Sequence, residues 1–428
     1  MNTLKGGPAS LALLVLVLVL AAAPAAARQD PLKPAAPDPK AKASVSSTVE
    51  FSFLVPLNHD VLDPVGLARF QVSLETLLHG TVDDSIRGSG PLVKGAFFAA
   101  VLMLDRTIAK MGHEYGHIAV FNRAGYNDFL LSVGQQQPEA LTFREVFINS
   151  LVPQRHMAVQ LEEDDAQDAM MRFQGRDFEE FTALSFAGGL NQEQVHLNLF
   201  RERVLRHQFG FFDTSSYFIE SVSTLAYTGS DNADIDGYVN SLARAGFTSS
   251  VGKVKAASLV RFLSGSAVSA GIGFYRAMSE DAFDGFAPRV ILKGQNWTVL
   301  WPEFESFLTL RGPSVRASLP VRAAGALVIP GLEISMAEEG SELEAGVEAS
   351  RPATSWLDLR TSLYAGTEGG YWAEIGVGVK PDPALSILLS WHAANGYTFH
   401  RDVYGETLEF EESFESGFKL GLSAMLKF

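Results

Sequence analysis

Phe414-Glu415-Ser416-Gly417-Phe418-Lys419-Leu420-Gly421-Leu422-Ser423-Ala424-Met425-Leu426-Lys427-Phe428 decides the architecture of the C-terminal third of this sequence. Phe414, Ser416, Phe418, Leu420, Leu422, Ala424, Leu426 and Phe428 fall on one face, and Glu415, Gly417, Lys419, Gly421, Ser423 and Lys427 on the other. Strict alternation is the signature of a strand, because successive side chains of extended chain point to opposite faces. The same period recurs upstream, where Tyr371, Ala373, Ile375, Val377 and Val379 oppose Trp372, Glu374, Gly376, Gly378 and Lys380. Leu357, Leu359, Leu363 and Ala365 likewise oppose Asp358, Arg360, Ser362 and Tyr364. About eight such segments follow one another near 302–311, 313–322, 326–337, 342–351, 355–366, 371–380, 385–394 and 413–428, and Arg289 to Leu292 offers a short extra one.

A long closing strand with a terminal Phe resembles that of bacterial outer-membrane β-barrels, for which eight strands is the smallest usual number. The resemblance implies an antiparallel barrel over residues 288–428 in contact with outer-membrane lipid. Ala323-Ala324-Gly325, Arg351-Pro352-Ala353-Thr354 and Pro381-Asp382-Pro383 then form tight periplasmic turns, and Asn395 to Glu412 the longest outward loop. So small a barrel leaves no room for a channel, so Glu305, Arg316, Glu344, Glu348, Asp358, Arg360, Glu374 and Lys419 must pair inside it. Pro330 stands on the apolar side of the third strand without an evident reason. A soluble β-sandwich is the competing reading of the same alternation.

Residues 1–27 read as an export signal, with Lys5 ahead of an apolar run from Leu11 to Ala23 and Ala25-Ala26-Ala27 as a small-residue cleavage site. Residues 28–48 are rich in Pro, Ala and Lys and form a flexible linker; Val49 to Pro56 alternates like a short strand. From about Gly66 to Asp284 helical periodicity dominates, so residues 49–287 constitute a mainly helical domain and the whole chain an α+β multidomain protein. The net charge of −15 excludes a phosphate-tracking nucleic-acid binder, and the absence of Cys excludes a disulfide framework.

Within the helical domain stands His113-Glu114-Tyr115-Gly116-His117. On a helix, residues four apart lie one above the other, so two imidazoles can share one metal while Glu114 faces a water polarised by it. The apolar run Phe97 to Met111 leads into the motif, and Asn122-Arg123-Ala124-Gly125 supplies a helix stop. Gly112 and Gly116 leave a smooth patch for the close approach of another backbone. The motif resembles the HExxH signature of zincin metallopeptidases, in the HExGH form common among membrane-associated members. The resemblance implies a zincin-like domain, a Zn2+ cofactor, His113 and His117 as ligands and Glu114 as general base; a packing role for these residues is the competing reading.

Catalytic zinc takes a third protein ligand. Ala187-Gly188-Gly189-Leu190-Asn191-Gln192-Glu193 lies in a predicted helix from about Phe178 to Arg206, whose paired glycines let it close on the motif helix. It resembles the Gly-Gly-x-x-x-Glu helix of some HExGH proteases, which makes Glu193 the leading third ligand, with Asp213, His196 and Glu220 as alternatives. Asn232-Ala233-Asp234-Ile235-Asp236-Gly237 resembles the start of a calcium loop, but Ala243 stands at its twelfth position, so it reads as a turn capping the next helix. The expectation is a zinc peptidase acting on envelope proteins or peptides, tethered to the outer membrane with its helical domain in the periplasm. The alternative is a non-catalytic outer-membrane structural or interaction protein with an inert or structural HExxH site.

Overall fold

The computed structural model describes residues 48–56, 64–133, 139–140, 142–150, 157–206, 209–227, 233–280, 282–283, 290–294, 297–323, 326–336, 342–352, 357–367, 369–382, 385–395 and 415–427. The export segment, the linker up to residue 47, His207, Asn232, the connection after Asn395, and Phe414 and Phe428 lie outside the described residues.

Strand β1 (Thr48–Pro56) is followed by helices α1 (Pro64–Ile86) and α2 (Pro91–Arg123). A small antiparallel sheet comes next, ordered β3-β2-β4 from β2 (Phe129–Val133), β3 (Glu139–Ala140) and β4 (Met157–Leu161), with α3 (Phe143–Ser150) before β4. Then come α4 (Glu163–Arg172), α5 (Arg176–Arg206), α6 (Phe211–Tyr227), α7 (Ala233–Ala245), α8 (Val251–Val260), a 3-10 turn (Arg261–Leu263) and α9 (Gly265–Ser279). The acidic run at Glu163, Asp164 and Asp165 forms the first turn of α4, where carboxylates complement the helix dipole. Among the described residues no single helix is long and apolar enough to cross a membrane; α8 with its turn and α9 pass that test only together, bent by 57°.

Strands β5 (Val290–Lys293), β6 (Trp297–Leu300), β7 (Glu303–Thr309), β8 (Gly312–Ser318), β9 (Val321–Ala323), β10 (Ala326–Ser335), β11 (Leu343–Pro352), β12 (Leu357–Gly366), β13 (Tyr371–Asp382), β14 (Leu385–Asn395) and β15 (Glu415–Lys427) form the large sheet. Its order is β1-β15-β14-β13-β12-β11-β10-β9-β6-β5, with β8 pairing both β10 and β7. The eight expected segments are all present as antiparallel strands, from β7 to β15. Strand β1 joins them by pairing along β15, from Thr48 opposite Lys427 to Pro56 opposite Lys419.

The sheet does not close into the expected barrel, and the reason is in β7. One edge of β7 pairs with β8; the other, which closure would require, is filled by helix side chains. Asn191 of α5 donates to Leu308 O (2.9 Å) and accepts from Leu308 N (2.8 Å), while Gln194 accepts from Ser306 N (3.2 Å). Arg261 donates to Ser306 O (3.0 Å), and Ser264 both donates to Phe304 O and accepts from Phe304 N. Every outward backbone group at positions 304, 306 and 308 is thus satisfied without a strand partner. At the far end of the meander, β1 takes the edge of β15.

The two faces of the sheet differ in exposure and polarity. Leu359, Leu363, Ile375, Val377 and Leu389 are exposed on one face, whereas Tyr364, Trp372, Ser390 and His392 of the same strands are buried. The opposite face holds charges, and they pair: Arg316 with Glu333 (2.7 Å), Glu344 (3.6 Å) and Glu305 (3.7 Å), and Lys380 with Asp358 (2.7 Å). The second half of α5 lies against this face and contributes Arg201 to Glu305, leaving a cavity of about 230 Å³ between helix and strands. Pro330 also finds its explanation. It lies where β10 changes partner from β9 to β8, opposite the break at Leu319-Pro320, so its missing N–H interrupts no ladder bond.

Candidate metal centre

The centre is assembled where α2 and α5 cross. A Cβ built on Gly116 would stand 2.2 Å from Gly188 O, and one on Gly188 would stand 2.5 Å from Gly116 O, so the two backbones touch through glycine alone. One residue on, a Cβ on Gly189 would lie 2.5 Å from His113 Nε2. The two sequence glycines therefore do separate things: Gly188 admits the helix, and Gly189 makes the space that the His113 ring occupies. Gly112 faces the side chain of Gln71 on α1.

His113 and His117 project from successive turns of α2 with ring centroids 5.1 Å apart. The Nδ1 of His117 lies 2.6 Å from Ser185 O, and a carbonyl only accepts, so Nδ1 carries the hydrogen. Its Nε2 is then a lone-pair donor, 3.7 Å from Asp234 Oδ2. His113 presents Nε2 to the same oxygen at 3.3 Å. One donor atom each from His113, His117 and Asp234 lie within 4.8 Å of one another, with both histidines buried and Asp234 partly open to solvent. Asp234 reaches the motif from the first turn of α7, which packs on α5 through Gly237 against Phe186, and Tyr227 of α6 donates to its Oδ2.

Glu193, expected as the third ligand, lies instead on the far side of the His113 ring, with Oε1 2.9 Å from Nδ1, and outside the three-donor group. Thr224 donates to its other oxygen at 2.5 Å. This is the position from which a carboxylate fixes the tautomer and orientation of a metal-ligating imidazole. Carboxylates thus face both of its nitrogens. Burial disfavours the charged ring, but the hydrogen bonds to Asp234 and Glu193 outweigh it and hold the His113 pKa well above its ordinary value. In Asp234 burial acts to raise the pKa, and the hydrogen bond from His113 with the neighbouring His117 prevails and lowers it.

Glu114 is 4% exposed, and its Oε2 accepts no hydrogen bond from any described residue. An unsatisfied buried carboxylate oxygen beside two imidazoles is costly to maintain without a partner. Together with the space at Gly189 and a donor set of two imidazole nitrogens and one carboxylate oxygen, it fits a metal ion held by His113, His117 and Asp234.

The alternatives to Glu193 serve elsewhere. Asp213 accepts from Gly210 N (2.9 Å) and faces His79 Nδ1 (2.8 Å), whose Nε2 meets Asp105 (3.1 Å). His196 lies between Glu220 (2.8 Å) and Glu75 (2.9 Å). Neither cluster groups three ligand atoms on one point. Asp234 carries no local signal in the sequence: it is 121 residues from His113, inside a segment whose spacing resembles a turn. Comparisons of the chain with protein-family models, with curated proteins and with solved structures gave no match.

Proposed function

We propose that the protein is a metal-dependent peptidase, with His113, His117 and Asp234 holding the ion, Glu114 as the general base and Glu193 positioning His113. The observation that carries this reading is the arrival of Asp234 at the two motif histidines from a distant helix, beside a buried and unsatisfied Glu114. A bound zinc ion would supply Lewis-acid polarisation of a substrate carbonyl and acidify a neighbouring water. Glu114 can take the proton of that water and return it to the departing amine, which is general acid–base work for one carboxylate. Ser185 O fixes His117 with its Nε2 free, and Glu193 does the corresponding task from the Nδ1 side of His113.

The sheet supports a place in the outer membrane, with envelope proteins or peptides as substrates. Exposed Leu359, Leu363, Ile375, Val377 and Leu389 on one face and paired charges on the other match the side-chain distribution of lipid-facing β-structure. The decisive experiment is metal analysis of the purified full chain alongside peptide hydrolysis by wild type, Glu114→Gln and Asp234→Ala. One equivalent of zinc in wild type and Glu114→Gln, activity in wild type alone, and loss of metal in Asp234→Ala support the peptidase. Full activity in Glu114→Gln sinks the assigned mechanism, and zinc bound without hydrolysis of any peptide favours a structural metal site.

A further inference from the structure

The helical domain carries its own exposed apolar face, unconnected with the metal centre. Leu92, Val93, Phe97 and Met103 of α2 are exposed, Leu92 by 90% and Met103 by 60%. So are Phe274 and Tyr275 of α9, Phe218 and Val222 of α6, and Leu259 and Leu263 at the α8 turn. The elements bearing them pack on one another: Phe98 of α2 meets Phe274 with ring centroids 5.5 Å apart, and Lys94 donates to Ala277 O (3.2 Å). Phe274 meets Phe211 of α6, and Phe218 of α6 meets Phe262 of the turn at 5.7 Å.

Charge is distributed with a matching bias. In a chain of net charge −15, the stretches Pro91–Leu104 and Val251–Ser279 contain no Asp or Glu at all; of their cations Lys94 and Arg261 are buried, while Lys253, Lys255 and Arg276 are partly exposed. The two acids of α6 are turned inward, Asp213 to His79 and Glu220 to His196, so they do not charge its outer face. A surface that is apolar, flanked by cations and cleared of acids complements the interface of an anionic bilayer, where basic residues are attracted to the headgroups and apolar ones enter the acyl boundary. It does not complement the rest of this acidic molecule, and so argues against a second copy as its cover.

We infer that the face formed by α2, α6, the α8 turn and α9 lies on an anionic lipid surface. It contacts the bilayer in the plane of the interface, since no single described helix is long and apolar enough to span one. This contact is additional to that of the sheet and does not depend on the metal reading.

The chain has no Cys, so one substitution places one label. Nitroxide labels at Phe97→Cys and Tyr275→Cys in the full chain are to be compared with one at Met170→Cys, exposed by 60% on the acidic helix α4. The probes are vesicles of phosphatidylcholine with phosphatidylglycerol, and of phosphatidylcholine alone. In the phosphatidylglycerol vesicles, accessibility to oxygen relative to a water-soluble nickel chelate rises severalfold at positions 97 and 275 and stays low at 170. Lys253→Glu with Lys255→Glu weakens the effect. Positions 97 and 275 remaining as water-accessible as 170 overturn the inference, as does an equal response in uncharged vesicles. Spin–spin broadening at 97 or 275 overturns it in favour of contact between copies. A label at Ile375→Cys reports the exposed apolar face of the sheet separately, so failure of the membrane reading for the sheet is distinguished from failure here.

Discussion

Three buried imidazoles in the helical domain are each held between two carboxylates: His113 by Glu193 and Asp234, His196 by Glu75 and Glu220, and His79 by Asp105 and Asp213. Among the described residues only His113 has a second imidazole beside it, with its Nδ1 tied to a carbonyl and its Nε2 turned to the shared carboxylate oxygen. That difference separates a metal centre from a proton clamp. At His79 and His196 the two nitrogens point to opposite partners, so a proton, and not an ion, satisfies both sides. Each site sets an imidazole between two carboxylates; the second imidazole and the direction of the donor atoms distinguish His113.

The largest effect is expected at the crossing that brings the second imidazole into play. Gly188→Val places a side chain where a Cβ alone would already stand 2.5 Å from Gly116 O, so α5 must move off α2. Overpacking of this kind costs about 1–3 kcal/mol or more, and here it also disperses His113, Glu193 and Asp234. Metal binding is expected to vanish, measured by zinc titration, while circular dichroism retains the helices; undiminished zinc affinity would show that the helix crossing does not build the site. Asp234→Ala comes next. It removes a candidate ligand, so the loss of zinc affinity should exceed the about 10- to 100-fold that removal of an outer partner costs.

At the proton clamps the expected loss is in stability. His79→Gln leaves Asp105 and Asp213 buried without their cation, and breaking a buried pair costs about 3–5 kcal/mol. Burial acts to lower the His79 pKa, but Asp105 and Asp213 prevail and raise it to about 10. A pKa raised on folding means that the stabilisation is complete below the ordinary histidine value and is lost as pH rises towards 10. Asp213, whose pKa Arg203 and His79 hold low against the effect of burial, loses its contribution in the opposite direction, as pH falls below the usual carboxylate range. The difference in melting temperature between wild type and His79→Gln should therefore be greatest near pH 6 and shrink steadily to pH 10. A difference that is flat with pH would mean that the ring is neutral in the folded protein.

What the sequence disclosed depends on the range of the interaction. Period-two alternation is local, and it located the strands between β7 and β15; Gly116 and Gly188, one from each glycine pair, announced a close helix approach before any partner was known. The open sheet was hidden, because it depends on Asn191, Gln194, Arg261 and Ser264 finding the edge of a strand far along the chain. Asp234 was hidden for the same reason. Glu193 had a readable neighbourhood, but helix spacing alone cannot say on which side of an imidazole a carboxylate will lie.

That last point gives the most discriminating of the smaller effects. If Glu193 acts through the Nδ1 of His113, Glu193→Gln keeps an oxygen acceptor for that hydrogen and loses only the charge, so zinc remains bound with an affinity lowered by about 10- to 100-fold. A direct ligand behaves otherwise, since a neutral amide is a poor zinc donor, and the substitution would then match Asp234→Ala. Isothermal titration of the two variants side by side decides between the roles. Thr224→Val sharpens the comparison further: it removes the hydroxyl that donates to Glu193 at 2.5 Å, leaves every nitrogen and oxygen of the metal group in place, and should weaken zinc binding by less than Glu193→Gln does. Equal losses in Thr224→Val and Asp234→Ala would contradict the ordering of ligand, positioning carboxylate and supporting hydroxyl on which the contrast between His113 and His196 rests.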